Sequence, residues 1–263
     1  MKHLPVAKQF QILHGTPQTP LYSGKLGGWY SSVMAHDSFD VNMISRFLNP
    51  RSYVVDLMCG DGRNLRELSA QGHRGVGVDL NSSAIERARS ITTQKNITYV
   101  IEDAFSWVSN VDADLVVFGG LVGSMFDKQE LLSLFRHVRN YIKPNGKLLI
   151  DYLPAYAEDS NWAGDFILPT ENPDNGFVVT STRRNPMEGS QESSFFYYEP
   201  SQSPFTEYAS HTLIIHDSNA VESLLLDAGF KIESSRLSHQ FDPHGYDEGM
   251  PSWPIKKIQA SRS

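Results

Sequence analysis

The chain has 263 residues, enough for one large α/β domain or for one domain carrying a sizeable insertion. With 40% hydrophobic and 20% charged residues it is not a disordered polymer and can bury a core. The formal charge of −7, without any lysine- or arginine-rich block, argues against nucleic acid as a partner. A single cysteine, Cys59, excludes an intramolecular disulfide.

The first segment, Met1 to Gly28, is interrupted by Pro5, Gly15, Pro17 and Pro20 and reads as an arm with little regular structure. It lacks the apolar stretch of a secretory signal, and no apolar run is long enough to span a bilayer. The expectation is a cytoplasmic protein with no membrane partner. Trp29 to Leu48 reads as one or two short helices stopped at Asn49-Pro50.

From there the chain alternates. Tyr53-Val54-Val55-Asp56-Leu57 is a buried strand running into a glycine turn, with Leu65 and Leu68 at helical spacing beyond it. Gly75 to Asp79 is a second strand, followed by a helix with Ala84, Ile85, Ala88 and Ile91 on one face. Ile97–Ile101 and Ala113–Phe118 are strands three and four. Asp127 and Glu130 form a capping-box pattern ahead of Leu131, Leu134, Phe135, Val138 and Ile142. Lys143-Pro144-Asn145-Gly146 reads as a turn and Lys147–Asp151 as strand five. Strands alternating with helices predict an α/β, Rossmann-like, doubly wound and mostly parallel sheet.

After Tyr152 the rhythm changes. Phe177–Thr182, Ser194–Tyr198 and His211–Ile215 are β-forming runs separated by proline, serine and glycine, which predicts an antiparallel β insertion after the fifth strand. Asp217 caps a helix through Val221, Leu224, Leu225 and Ala228, ended by Gly229. Phe230–Leu237 and Ile255–Ala260 are expected as closing strands, antiparallel at the sheet edge. His239-Gln240-Phe241-Asp242-Pro243-His244 reads as a surface loop, and no metal is expected.

The turn Met58-Cys59-Gly60-Asp61-Gly62 leads from strand to helix, and Asp79 ends the next strand. In a doubly wound sheet that carboxylate lies beside the first turn, where it can accept hydrogen bonds from both hydroxyls of a ribose. A dinucleotide site shares this geometry. Its third glycine is absent here, since Leu65 stands at that point, and Asp61 sits in the turn where a pyrophosphate needs an open helix N-terminus.

In these residues the chain resembles the class I S-adenosylmethionine-dependent methyltransferases. Val54 to Asn64 resembles their first motif, Gly75 to Asp79 the second, Glu102-Asp103-Ala104 the third and Asp114 to Phe118 the fourth. Leu134 to Ile150 resembles the following helix, turn and strand, and Ser218 to Phe230 the late helix with its Ala-Gly-Phe turn. Met58 replaces a glycine of the pattern, and Asn145 another. Trp29 to Val41 resembles the N-terminal tyrosine segment of glycine and amino-sugar N-methyltransferases, with Ser31 where an aspartate is common.

The resemblance implies S-adenosyl-L-methionine as cofactor, held by Tyr30, Asp56, Gly60, Gly62, Asp79, Leu80, Asp103, Ala104 and Phe118. Residues 1–52 then form an arm and lid helices, and 53–263 the methyltransferase domain with its insertion at about 152–210. Tyr152, just past strand five, and His211 are candidates for the acceptor side. The loop Phe118-Gly119-Gly120-Leu121 lacks the proline-rich motif of enzymes that methylate nucleobase amino groups or glutamine. A small-molecule acceptor, methylated at N, O or C, is expected. A protein or RNA methyltransferase and a non-catalytic cofactor-binding protein are the alternatives.

Overall fold

A computed structural model describes residues 4–34, 41, 44–45, 48–155, 161–170, 176–200, 204–217, 219–239 and 254–262. Their internal contacts divide the chain into two compact units, one of residues 35–156 and 215–263, the other of residues 1–34 and 157–214.

The larger unit is built on a seven-stranded sheet. Its strands are β1 (Tyr53–Leu57), β2 (Arg74–Asp79), β3 (Ile97–Ile101), β4 (Ala113–Phe118), β5 (Ile142–Tyr152), β10 (Phe230–His239) and β11 (Pro254–Arg262). They lie in the order β10-β11-β5-β4-β1-β2-β3, and β1 to β5 pair in parallel. Because side chains alternate along a strand, each central strand serves two faces. Val54, Leu115 and Val117 turn toward α3 (Arg63–Ala70) and α4 (Ser82–Ile91), where Leu65, Leu68, Ile85 and Ala88 bury with them. Val41 and Ile44, both helical, join this cluster.

Val55, Leu57, Val116 and Phe118 turn the other way, onto α5 (Lys128–Val138) and α6 (Ala220–Asp227). Leu131, Leu134, Phe135 and Val138 are the fully buried stripe of α5, each contributing about 1.5–3 kcal/mol by burial. The capping box at its start forms as the sequence predicts: Asp127 accepts from the Gln129 and Glu130 amides while Glu130 accepts from the Asp127 amide.

Two expectations are corrected here. The turn at Lys143–Gly146 is absorbed into β5 as an irregularity, with Asn145 left-handed at φ 63° and the Lys143 ammonium 2.6 Å from Asp114. The closing strands are not both reversed edge strands. β11 is inserted between β5 and β10 and runs antiparallel to each, so β10 takes the edge. The expected loop Gln240–His244 lies outside the described residues.

The smaller unit is an antiparallel meander, β6 (Trp162–Pro169), β7 (Phe177–Asn185), β8 (Ser190–Glu199) and β9 (Phe205–Ile214). The N-terminal segment is not the irregular arm that its prolines suggest. It forms α1 (Val6–His14) and α2 (Gly24–Met34), one on each face of the meander. Ala7 and Phe10 pack on Val179, Phe196 and Tyr208. Leu26 and Trp29 pack on Leu168, Val178, Tyr197 and Ala209, and the Trp29 indole donates to the Pro169 carbonyl at 3.0 Å. Among the described residues no helix is long and apolar enough to cross a membrane.

Candidate functional site

The chain leaves β1 in one direction toward β2 and β3, while β4 and β5 lie on its other side. The reversal falls between β1 and β4, and crevices of this kind at the carboxyl ends of strands are where open α/β sheets bind ligands. The turn after β1 is tight. Met58, Gly60 and Gly62 all have positive φ, at 54°, 57° and 77°. A side chain at Gly62 would run into the Tyr99 ring at 2.3 Å, whereas one at Gly60 would meet nothing within 4 Å. The turn is therefore packed from below at Gly62 and open at Gly60.

Close approach of α3 to the sheet comes from β2. A side chain at Gly75 would come within 2.9 Å of Leu65 on α3, and one at Gly77 within 3.1 Å of the same residue and 2.7 Å of Cys59 Sγ. Two glycines on the neighbouring strand thus do the packing work that a third turn glycine does in dinucleotide sites.

Asp79 closes the turn. One carboxylate oxygen accepts from the Gly60 amide and the other from the Asn81 amide, both at 2.8 Å. An ionised carboxylate offers about four acceptor positions, so these two bonds orient it and leave capacity for two donors more. Next to it Leu80 is 70% exposed, an apolar side chain without cover. The Asp79 carbonyl accepts from the Glu102 amide, which ties the end of β2 to the third motif. There Asp103 is exposed, its Oδ1 accepting from the Phe105 amide at 2.9 Å, and Ala104 is buried.

Asp56 is 3% exposed at the end of β1. Burial raises the Cys59 thiol well above its ordinary range, and the Asp56, Asp79 and Asp61 carboxylates push it further. Cys59 is therefore a protonated packing residue. The three carboxylates make the turn a negative environment, wrong for a pyrophosphate and right for a cation. Asp61 is steadied by Arg66, which lies 3.8 Å away and also donates to its carbonyl.

Beyond β4 the structure adds residues that sequence reasoning missed. The Asp151 carboxylate, 5% exposed at the end of β5, accepts from the Gly120 amide at 3.1 Å and the Leu121 amide at 2.6 Å. It fixes the loop after β4, where Gly120 and Leu121 are both left-handed. Asn64, in the first turn of α3, is 92% buried, and its Oδ1 meets no donor among the described residues. An acidic residue closing a strand and an asparagine opening a helix are too common in sequence to signal either role.

Several expected side chains point elsewhere. The Phe118 ring is 1% exposed and stacks on Phe135, so only its backbone faces the strand end. Tyr152 turns inward from the strand end. It is fully buried, packs edge-on against His216, and burial raises its phenol strongly. Tyr30 and His211 belong to the smaller unit. There Tyr30 packs edge-on against Tyr22 and Phe195, and Phe195 stacks on His211 at 6.0 Å. The two candidates thus share one face of the meander. Among the described residues no group of three His, Cys, Asp or Glu side chains gathers as a metal would require.

The seven-stranded order, parallel from β1 to β5 with β11 and β10 beyond β5, is an α/β fold shared with solved S-adenosylmethionine-dependent methyltransferases. Residues 54–146 match the family model of a methyltransferase domain. Among solved structures, an S-adenosylmethionine-dependent methyltransferase from Clostridium acetobutylicum ATCC 824 aligns with 14% identity and a TM-score of 0.67, covering 88% of this chain and 92% of that one. The sugar N-methyltransferase KedS8 from Streptoalloteichus sp ATCC 53650 aligns with 16% identity and a TM-score of 0.63, over 100% and 95%. CalS10 from Micromonospora echinaspora, an amino pentose methyltransferase bound to S-adenosylmethionine, aligns with 12% identity and a TM-score of 0.62, over 100% and 99%. No curated protein matches the sequence. S-adenosyl-L-methionine is the cofactor named for the Clostridium enzyme and bound in CalS10.

Proposed function

We propose that this chain transfers a methyl group from S-adenosylmethionine to nitrogen, oxygen or carbon of a small molecule. The observation that carries the reading is the Asp79 carboxylate, oriented by the Gly60 and Asn81 amides beside an open Gly60 and an uncovered Leu80. Asp79 uses its remaining acceptor positions for the two ribose hydroxyls. Leu80 covers one face of the adenine, and Asp103 and Ala104 flank its edge. Gly60 and Gly62 let the cofactor approach the backbone, and the Phe118 backbone borders its amino-acid end. Asp56, with Asp61 and Asp79, supplies the negative field that suits a cationic ligand. When bound, the sulfonium supplies an activated methyl group and a neutral thioether leaving group. The protein's task is then mainly to align the acceptor with the methyl carbon and to exclude water.

A small acceptor is supported by the absence of any basic block and by the sugar and amino-pentose activities named for the similar structures. His211, whose ring is held neutral by burial with its pKa down at about 4, is the acceptor-side candidate that remains once Tyr152 is set aside.

Calorimetry with S-adenosylhomocysteine tests the cofactor assignment. Loss of charge-assisted hydrogen bonds in Asp79→Ala should weaken binding by about 1.5–3 kcal/mol, roughly tenfold to 150-fold. Unchanged affinity in a folded variant would refute the ribose role. Tyr30→Phe in the same titration tests the role that the resemblance gives Tyr30. Incubating the protein with labelled cofactor and metabolite pools, followed by mass spectrometry, tests the acceptor class. Label appearing in protein or RNA and in no metabolite would overturn it.

A further inference from the structure

Asn64 stands at the crevice with an unmet hydrogen-bonding demand. It follows the β1 turn in the first turn of α3, and Gly119 follows β4, so the two residues flank the point where the sheet order reverses. A side chain at Gly119 would come within 3.4 Å of Asn64 Nδ2, which places the amide against the start of the loop that Asp151 clamps. The residue is 92% buried, and its Oδ1 has no donor among the described residues. Leaving a buried amide oxygen unsatisfied costs about 1–3 kcal/mol. A leucine would fill a similar volume without that cost, so the position is better explained by a ligand than by packing.

We infer that Asn64 Oδ1 accepts a hydrogen bond from the α-ammonium group of the bound cofactor. The inference rests on the methyltransferase reading above. In that reading Asp79, Leu80 and Asp103 take the nucleoside over β2 and β3, so the amino-acid end extends over β1 and β4, where Asn64 waits. That end offers two groups. The carboxylate only accepts hydrogen bonds and is repelled by an amide oxygen, whereas the ammonium only donates. An acceptor without a donor therefore selects the ammonium, and the carboxylates around the turn favour the same cation.

The test compares three ligands by calorimetry: S-adenosylhomocysteine, its deaminated analogue that keeps the carboxylate, and 5′-methylthioadenosine, which lacks the whole amino-acid end. Asn64→Leu should weaken S-adenosylhomocysteine about tenfold to a hundredfold. It should change the other two by less than about threefold, the ordinary size of context effects. Asn64→Asp, which keeps an acceptor, should retain S-adenosylhomocysteine binding. The ligand-free melting temperature of Asn64→Leu should equal or exceed that of the parent, because an unsatisfied buried oxygen has been removed. Should Asn64→Leu not fold, Asn64→Ala, which also lacks an acceptor, replaces it.

Equal weakening of all three ligands, or a lower melting temperature with methylthioadenosine binding lost, would show a structural role and overturn the inference. So would an effect that persists with the deaminated analogue. A parent protein that binds S-adenosylhomocysteine through Asp79 yet ignores Asn64→Leu overturns this inference alone. A parent that does not bind it overturns the methyltransferase reading as well.

Discussion

Gly60 and Gly62 sit two residues apart with similar left-handed backbones, yet substitution at the two should fail differently. Alanine at either position carries the left-handed penalty of about 1–2 kcal/mol. At Gly62 its methyl group also meets the Tyr99 ring, which the Thr92 hydroxyl and the packing of α3 hold in place, and overpacking adds about 1–3 kcal/mol. Gly62→Ala should therefore lower unfolding stability by about 2–5 kcal/mol in urea. Gly60→Ala should lose only the backbone penalty, because its methyl group points into open space. It should instead weaken S-adenosylhomocysteine binding, since the proposed cofactor site uses that space. Equal stability losses at the two positions would contradict this division. Both glycines and Asp79 were legible in the sequence, because a tight turn and the residue that closes it lie within a short stretch of chain. Met58 was legible as a departure from the family pattern; that it nevertheless keeps a left-handed φ of 54° was not.

Among the elements, α5 and α2 show why some helices were legible and others were not. α5 carries its own signals, a capping box and an apolar stripe at 3.6 spacing. α1 and α2 borrow theirs from distant strands. The Val6 amide donates to Asp165 and the Ala7 amide to the Ser181 hydroxyl, 159 and 174 residues away. The Leu26 amide donates to Glu207 at 2.6 Å and the Lys25 amide to the same carboxylate at 3.3 Å. Gly24 is left-handed and lies so close to Glu207 that a side chain there would displace the carboxylate. Glu207 is thus the N-terminal cap of α2, supplied from β9. Glu207→Ala should cost about 1–2 kcal/mol, the range of a lost cap with its favourable charge at the helix start. Amide exchange in residues 24–34 should rise more than in α5. Uniform exchange changes across the chain would show that the carboxylate does not act locally. β6 was missed for a related reason: Gly164, Asp165 and Pro169 speak against a strand, and its pairing with β7 overrides them.

For the whole molecule, the buried histidines set the response to acid. Burial lowers His211 to about 4 from an ordinary 6.5, and it lowers His216 and His73 as well. Each imidazole is neutral when folded, so between these values the unfolded chain binds more protons and stability falls as pH falls. The contribution is complete above about pH 6.5 and is lost as the pH drops toward about 4. The carboxylates act lower on the scale. Lys256 and Ser235 hold Glu222 below its usual 4.5, and Lys147 does the same for Glu233, so their contribution is complete above that value and is lost only as the pH falls below it. Approach to the sequence isoelectric point of 5.7 relieves some repulsion, but exposed charges are screened within about 8 Å at physiological salt. Thermal melts should therefore fall steadily between pH 6.5 and pH 4, and His211→Phe should flatten that slope. A slope that His211→Phe leaves unchanged would place the acid sensitivity elsewhere.

Strand and helix periodicity, the capping box, the glycine turn and the acid at the end of β2 are all local patterns, and on them the α/β class could be read from the chain alone, while the cofactor was implied by the family resemblance of the motifs. Which way a side chain faces at the end of a strand depends on what packs above it. Phe118 and Tyr152 were assigned by position to the strand ends, and neighbours from α5 and His216 draw both rings into the core. Asp151 becomes a clamp because β4 and β5 are paired, and Asn64 becomes an unmet acceptor because α3 docks beside the loop after β4. Such roles arise from contacts between residues far apart in sequence, whose register is decided by burying the two faces of one sheet rather than by any short motif.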